Sequence, residues 1–131
     1  MAGTFKFELV SPERMVMSAD ADQVILAAAA GQMTVLPGHA PVVAALQPGV
    51  IEITTAGKVR RVFVGGGFAE IDPERLTVLA EKAIDAGDLK GSVLDGELRA
   101  AEDALAAAAT DDARWVATTA LDALRGFQGA R

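Results

Sequence analysis

The apolar residues of this chain change their spacing once, between Ala83 and Gly91, and that change limits the fold more than any other feature. Before it they recur with a period of two, punctuated by Gly and Pro. After it the chain is alanine-rich, free of proline, and apolar at spacings of three and four. The first pattern describes strands with one buried face, the second one stripe of a helix. The expected division is therefore residues 1–84 as a β domain and residues 85–131 as a helical appendage.

Phe5, Phe7 and Leu9 alternate with Lys6 and Glu8, which marks a half-buried strand. Short apolar strands are expected at Met15–Met17, Gln23–Ala27, Met33–Leu36 and Val42–Leu46. Val50-Ile51-Glu52-Ile53 and Val59–Val64 flank Ala56-Gly57, a hairpin turn signal. Phe68–Ile71 and Leu76–Ala80 flank Asp72-Pro73-Glu74-Arg75, where Pro sets φ and Asp bonds its own backbone. About eight to ten short strands with a turn signal about every ten residues predict an antiparallel β-sandwich or flattened barrel.

In the second part Leu94, Leu98, Ala101, Leu105 and Ala108 fall on one helical stripe, and Val116, Ala120, Ala123, Leu124 and Phe127 on another. Thr110-Asp111-Asp112 between them suits a helix cap. The prediction is an antiparallel two-helix hairpin. Its facing positions are mostly Ala, so it buries little area, and each helix is near the marginal length for stability. Such a hairpin must lean on something else and can detach from it.

Composition removes several function classes. The 131 residues contain no cysteine, which excludes a disulfide framework, a thiolate zinc site and a cysteine nucleophile. One histidine excludes a multi-histidine metal centre built from this chain alone. Twelve basic against 18 acidic residues give a net charge of −6, which argues against nucleic acid as a partner. No unbroken apolar stretch reaches the length of a membrane-spanning helix, since the longest uncharged runs are interrupted by Gly, Pro or His, and the first residues alternate apolar and charged, unlike a signal peptide. A soluble, cytosolic chain is expected, without direct membrane insertion.

Three features invite a chemical reading. His39 is the single histidine, but no Asp, Glu or Ser lies between Asp22 and Pro48 to orient it as a base. The local sequence Leu36-Pro37-Gly38-His39-Ala40-Pro41 instead reads as a rigid turn, with Pro fixing φ and Gly permitting φ > 0. Gly65-Gly66-Gly67 is not a P-loop, since no Lys-Ser or Lys-Thr follows and a strand comes next. Three glycines in a strand pattern mark a bulge or a close backbone approach. Paired acids such as Glu70/Asp72 and Glu102/Asp103 fall in turns or on a polar helix face. No active site is expected, and no cofactor or metal.

Four segments in order carry a resemblance: Gly31 to Pro41, Leu46-Gln47-Pro48-Gly49-Val50, Gly65-Gly66-Gly67-Phe68-Ala69-Glu70 and Thr77-Val78-Leu79-Ala80-Glu81. On these the chain resembles the epsilon subunits of bacterial F-type ATP synthases, counterparts of the mitochondrial delta subunit. The resemblance implies the same sandwich and hairpin, and a non-catalytic rotor part on the cytoplasmic face of the bacterial inner membrane. It further implies that the sandwich packs on a gamma subunit and on the polar loops of the c-ring. Gly31, Gln32, Met33, Pro37, Gly38 and His39 would face those partners. Several relatives carry an acid where this chain has Gln32, so a charge pair to the c-ring is replaced here by hydrogen bonding.

In many relatives the C-terminal helices also reach the alpha/beta catalytic head and block ATP hydrolysis, and some relatives bind ATP through an Asp and an Arg separated by two residues. The nearest match here is Asp95 and Arg99, with one residue more between them. That insertion turns Arg99 by about 100° relative to Asp95 on a helix and argues against ATP binding. The reading from residues alone leaves one alternative from another class: a free-standing ligand-binding β-sandwich with a helical lid.

Overall fold

Alternation decides which face of each strand turns inward, and the inward residues come from both ends of the β region. In the computed structural model, which describes residues 3–128, ten strands precede two helices. They are β1 (Phe5–Val10), β2 (Met15–Ala21), β3 (Gln23–Ala28), β4 (Gly31–Val35), β5 (Val42–Leu46), β6 (Gly49–Thr55), β7 (Lys58–Val64), β8 (Gly67–Ile71), β9 (Arg75–Ala80) and β10 (Ala83–Asp85). A 3-10 turn at Ala86–Asp88 leads to α1 (Gly91–Ala107) and α2 (Asp111–Arg125).

The hydrogen-bonded order is β10-β7-β6-β3-β5-β8-β9-β1-β2, with β4 added on β3. Between β3 and β5 a single residue pair, Ala28 with Leu46, carries the sheet around. The sheet thus folds over as a sandwich. Phe7, Leu9, Leu76 and Val78 from one layer meet Val24, Leu26, Ile51, Ile53 and Val62 from the other in one core. Each such side chain, fully buried, stabilises by about 1.5–3 kcal/mol relative to exposure. The helices and the strands they touch hold a second cluster: Leu94, Leu98, Ala101, Leu121 and Leu124, with Phe63 from β7 and Leu89.

The predicted β-sandwich and helical hairpin are both present. Several local expectations change. β2 continues to Ala21, because the polar residues Ser18 and Asp20 take the outer face of a strand paired on one side only. β10 escapes sequence reading, being three half-buried residues paired with β7. It includes Asp85, one residue past the expected boundary. β3 runs one residue past its expected end, to Ala28, and Ala29-Ala30 form the turn to β4. One pair, β1 with β9, is parallel within the otherwise antiparallel order.

On α2 the buried residues are Ala117, Leu121 and Leu124, whereas Val116, placed on the stripe by spacing, is 44% exposed. The stripe is rotated because the helix turns Leu121 and Leu124, its largest aliphatics, toward Phe63 and α1. Thr110 caps α2, its hydroxyl accepting from the Ala113 N–H at 3.0 Å.

Turn chemistry explains the tight connections. Thr55 pairs with Lys58 across Ala56-Gly57, and both turn residues have positive φ, at 52° and 81°. That is the two-residue hairpin geometry matching strand twist. Alanine is held there because the Asp22 carboxylate accepts from the Ala56 N–H at 2.8 Å. Asp72 likewise accepts from the Glu74 and Arg75 N–H groups, closing the turn from β8 to β9.

Candidate interaction surfaces

Two surfaces follow from strand parity. The first lies on the outer face of β5, β8, β9, β1 and β2. Ala45 pairs with Phe68, Phe68 with Leu79, Val10 with Leu79 on the far side of β9, and Val10 with Met15. Directly opposite residues share a face, so these five residues form one apolar row across five strands. Phe68 is 56%, Leu79 44% and Met15 49% exposed. Val43, one row over, is 67% exposed beside Glu70. A shallow cleft at one end of the row is lined by Ser11, Pro12, Gly67 and Glu81 besides Val10, Phe68 and Leu79.

Gly67 shapes this cleft. Its φ is +139°, and a Cβ there would overlap the Leu79 carbonyl oxygen. The close backbone approach expected of the glycine run is therefore real at Gly67. Gly66, at φ +114°, has only the Leu46 carbonyl oxygen near, at 3.8 Å.

The residues Gly31 to His39 do not gather at one point. Gly31 and Gln32 are exposed beside the Ala29-Ala30 tip, whereas Pro37, Gly38 and His39 follow the other end of β4, a strand about 13 Å long. Met33 between them packs partly against the sandwich core. The Gly38 N–H donates to the Pro73 carbonyl at 2.9 Å, tying this turn to that between β8 and β9. His39 Nδ1 lies 2.8 Å from the Ala40 carbonyl, which can only accept, so Nδ1 carries the proton. The imidazole thus closes its own turn through Nδ1.

The second surface is the seat of the hairpin. Val50, Phe63 and Ile84 pair in line across β6, β7 and β10, facing away from the sandwich core. Phe63 alone of the three is buried, standing in the helical cluster. At the edge Lys82 Nζ reaches Glu97 Oε1 at 2.7 Å, and Arg60 Nε reaches Asp85 Oδ2 at 2.7 Å. Asp95 and Arg99 are both exposed on α1 and enter no hydrogen bond or ion pair among the described residues.

Asp85 caps the 3-10 turn, its Oδ1 accepting from the Gly87 N–H at 2.9 Å. That bond, against a smaller opposing effect of burial and with help from Arg60, holds its carboxyl below the ordinary range. A lowered carboxylate stabilises the fold above the range where a free Asp titrates, and loses that contribution as pH falls through the lowered value. Urea unfolding of Asp85→Asn should therefore show a deficit against the parent at neutral pH that shrinks toward about pH 2. A deficit constant with pH would contradict the assignment.

Residues 4–86 match the family described as ATP synthase, Delta/Epsilon chain, beta-sandwich domain. The chain belongs to the ATP synthase delta/epsilon family. It is 44% identical over 126 residues to the ATP synthase epsilon chain of Parvibaculum lavamentivorans, covering 95% of this chain and 96% of that one. It is 42% identical over 131 residues to the epsilon chain of Mesorhizobium japonicum, covering 99% and 97%. The same fold occurs in a chain of the Euglena gracilis mitochondrial ATP synthase OSCP/F1/c-ring structure, with a TM-score of 0.74 and 20% identity, over 99% of this chain and 82% of that one. It occurs again in the Tetrahymena thermophila mitochondrial ATP synthase central stalk/c-ring structure, with a TM-score of 0.59 and 13% identity, over 89% and 96%.

As an epsilon-type chain of ATP synthase, it is a component of a membrane-bound complex. No helix among the described residues is long and apolar enough to cross a membrane. The apolar row was missed by sequence reading, although the signal is there. Val78-Leu79-Ala80 and Gly67-Phe68-Ala69 are apolar on consecutive positions, and a strand apolar on both faces has two faces to bury.

Proposed function

We propose that this epsilon-type chain is a non-catalytic central-stalk subunit tying a gamma subunit to the c-ring, and so helps couple proton flow to ATP synthesis. The observation that carries the reading is the apolar row Ala45, Phe68, Leu79, Val10 and Met15 across five strands, exposed at every position but the half-buried Val10. Contiguous exposed apolar surface on a soluble domain marks a protein contact. A broad, stiff sheet face suits a part that transmits torque, because strands cross-linked by hydrogen bonds deform little. In this reading the sandwich, residues 1–84, docks its outer face on gamma. Gly31 and Gln32 at the exposed tip, with Pro37, Gly38 and His39 at the other end of β4, complete the contacts to gamma and the c-ring loops. The complex then places the chain peripherally, on the cytoplasmic face of the bacterial inner membrane.

The non-catalytic part of the proposal is supported by the titratable groups. Among the described residues no polar or charged side chain is buried, so none has the desolvated setting that tunes an acid or base. The hairpin, residues 85–131, is the regulatory part. It would restrain ATP hydrolysis by leaving its seat for the alpha/beta head. Removing it should raise hydrolysis by the assembled enzyme, and unchanged hydrolysis would remove the regulatory role.

The docking surface is tested by Leu79→Glu. Leu79 is 44% exposed, so the sandwich should fold with little loss, while a carboxylate is placed opposite Phe68. Co-purification with gamma is expected to weaken by about a hundredfold, since a central apolar anchor is replaced by a desolvated charge. Wild-type retention of gamma by this variant would move the contact elsewhere.

A further inference from the structure

The hairpin has more apolar surface than the chain covers. On α2, Ala113, Val116, Ala117, Ala120, Leu121 and Leu124 spread over about 140° of the helix circumference. The seam with α1 and Phe63 buries Ala117, Leu121 and Leu124, and leaves Val116 44% exposed. Val93 on α1 is 46% exposed in the same way. Between the helices lies a groove of about 610 Å3, walled by Ala100 and Ala104 of α1 and by Ala113, Val116 and Ala120 of α2. Phe63 and Pro48 of the sandwich close its end.

The shape selects the occupant. Two antiparallel helices with alanine walls form a continuous apolar rail on which a third backbone can come close, as in a three-helix bundle. A compact ligand needs convergent polar groups at the floor of its pocket, whereas this floor is apolar. The charges lie on the rim instead: Glu81, Glu97 and Asp112, against the one cation Lys82. That cation is already held by Glu97 at 2.7 Å. The 5 basic and 9 acidic residues from Asp85 onward give the whole appendage a charge of −4.

We propose that this groove docks an amphipathic helix of another protein, apolar on one face and flanked by Lys or Arg. Small side chains on the α1 and α2 walls admit its apolar face, and the rim carboxylates pair with its flanks. The proposal concerns the hairpin in its seated position and is independent of the gamma contact on the opposite layer.

The test uses the full chain and a synthetic helical peptide of about 14 residues, about four turns long, with leucine and alanine on one face and lysine on its flanks. Binding is read by isothermal titration calorimetry, because Trp115, the single tryptophan, lies outside the groove lining. The lysine peptide is expected to bind, with affinity falling as salt is raised. The same peptide with glutamate flanks, and the Val116→Lys chain with the lysine peptide, should each bind at least about tenfold more weakly. Val116 is exposed, so circular dichroism should show the hairpin intact in that variant. Equal binding of both peptides, binding unaffected by Val116→Lys, or no binding by the lysine peptide would each overturn the proposal. A concentration-dependent dimer abolished by Val116→Lys would assign the groove to a second copy of this chain instead.

Discussion

Replacing Gly67 by alanine should destabilise the sandwich by at least about 3 kcal/mol, combining a left-handed backbone penalty with forced movement of a neighbouring strand. Gly67 sits at φ +139° where β8 pairs with Leu46 on one side and Ala80 on the other, and the new methyl would run into the Leu79 carbonyl. Relief requires β9 to move from β8, which would also separate Phe68 from Leu79 in the apolar row. The neighbouring glycines supply internal controls. Gly66→Ala meets only a distant carbonyl and should cost about 1–2 kcal/mol for its positive φ alone. Gly65→Ala, at an ordinary φ with Lys82 Cβ 3.2 Å away, should cost least, because it needs a shift of only a few tenths of an ångström and carries no positive-φ penalty. Urea midpoints in the order Gly67→Ala, Gly66→Ala, Gly65→Ala, lowest first, are the expected result. Equal midpoints would show that the strand approach is not rigid.

Phe63→Ala should unseat the hairpin and leave the sandwich standing. Phe63 is the aromatic contribution of the sheet to the helical cluster and takes no part in the sandwich core. Truncating a buried Phe costs about 3–5 kcal/mol. Here that loss falls on one docking contact, which otherwise rests on the half-buried Ile84 of β10 and the Lys82–Glu97 pair at its edge. Surface pairs of this kind contribute about 0–1 kcal/mol each. Helices of 17 and 15 residues are marginal by themselves, so helical ellipticity should fall once the seat is lost. Trypsin should then cut at Arg99 and Arg114 well before the sandwich is degraded. Retained ellipticity with unchanged trypsin resistance would mean that the helices hold each other without the sheet. In the assembled enzyme the same variant also tests the proposed regulation: if the hairpin restrains ATP hydrolysis, its release should alter hydrolysis without its removal.

Much of the fold was legible in residue spacing. Nine of the ten strands described here follow from alternation between turn residues, and β5 matches its expected span of Val42–Leu46. What spacing could not supply was pairing. The parallel neighbour of β1 is about seventy residues away, and nothing in Phe5-Lys6-Phe7 points to Leu76. The rotated stripe of α2 has a similar origin: period alone places Val116 and Leu124 on related positions, and only the location of Phe63 decides which is covered. For the interaction surfaces, the motif residues Gly31 to His39 stood out by composition. Phe68 and Leu79 did not, because two adjacent strands must be laid side by side before their apolar row exists.

The parallel contact of β1 with β9 also sets the order of assembly. β1 and β2 can zip together as soon as both are made, yet this hairpin has no place to settle until Arg75–Ala80 has been synthesised. The Lys6 N–H must then find the Glu74 carbonyl, 2.9 Å away in the finished domain. Closing so long a loop carries an entropic cost and slows folding toward the millisecond-to-second regime. Strand β1 therefore waits, its Phe5, Phe7 and Leu9 uncovered, while about seventy more residues leave the ribosome. Chaperone demand during translation should concentrate in that interval and end when β9 emerges.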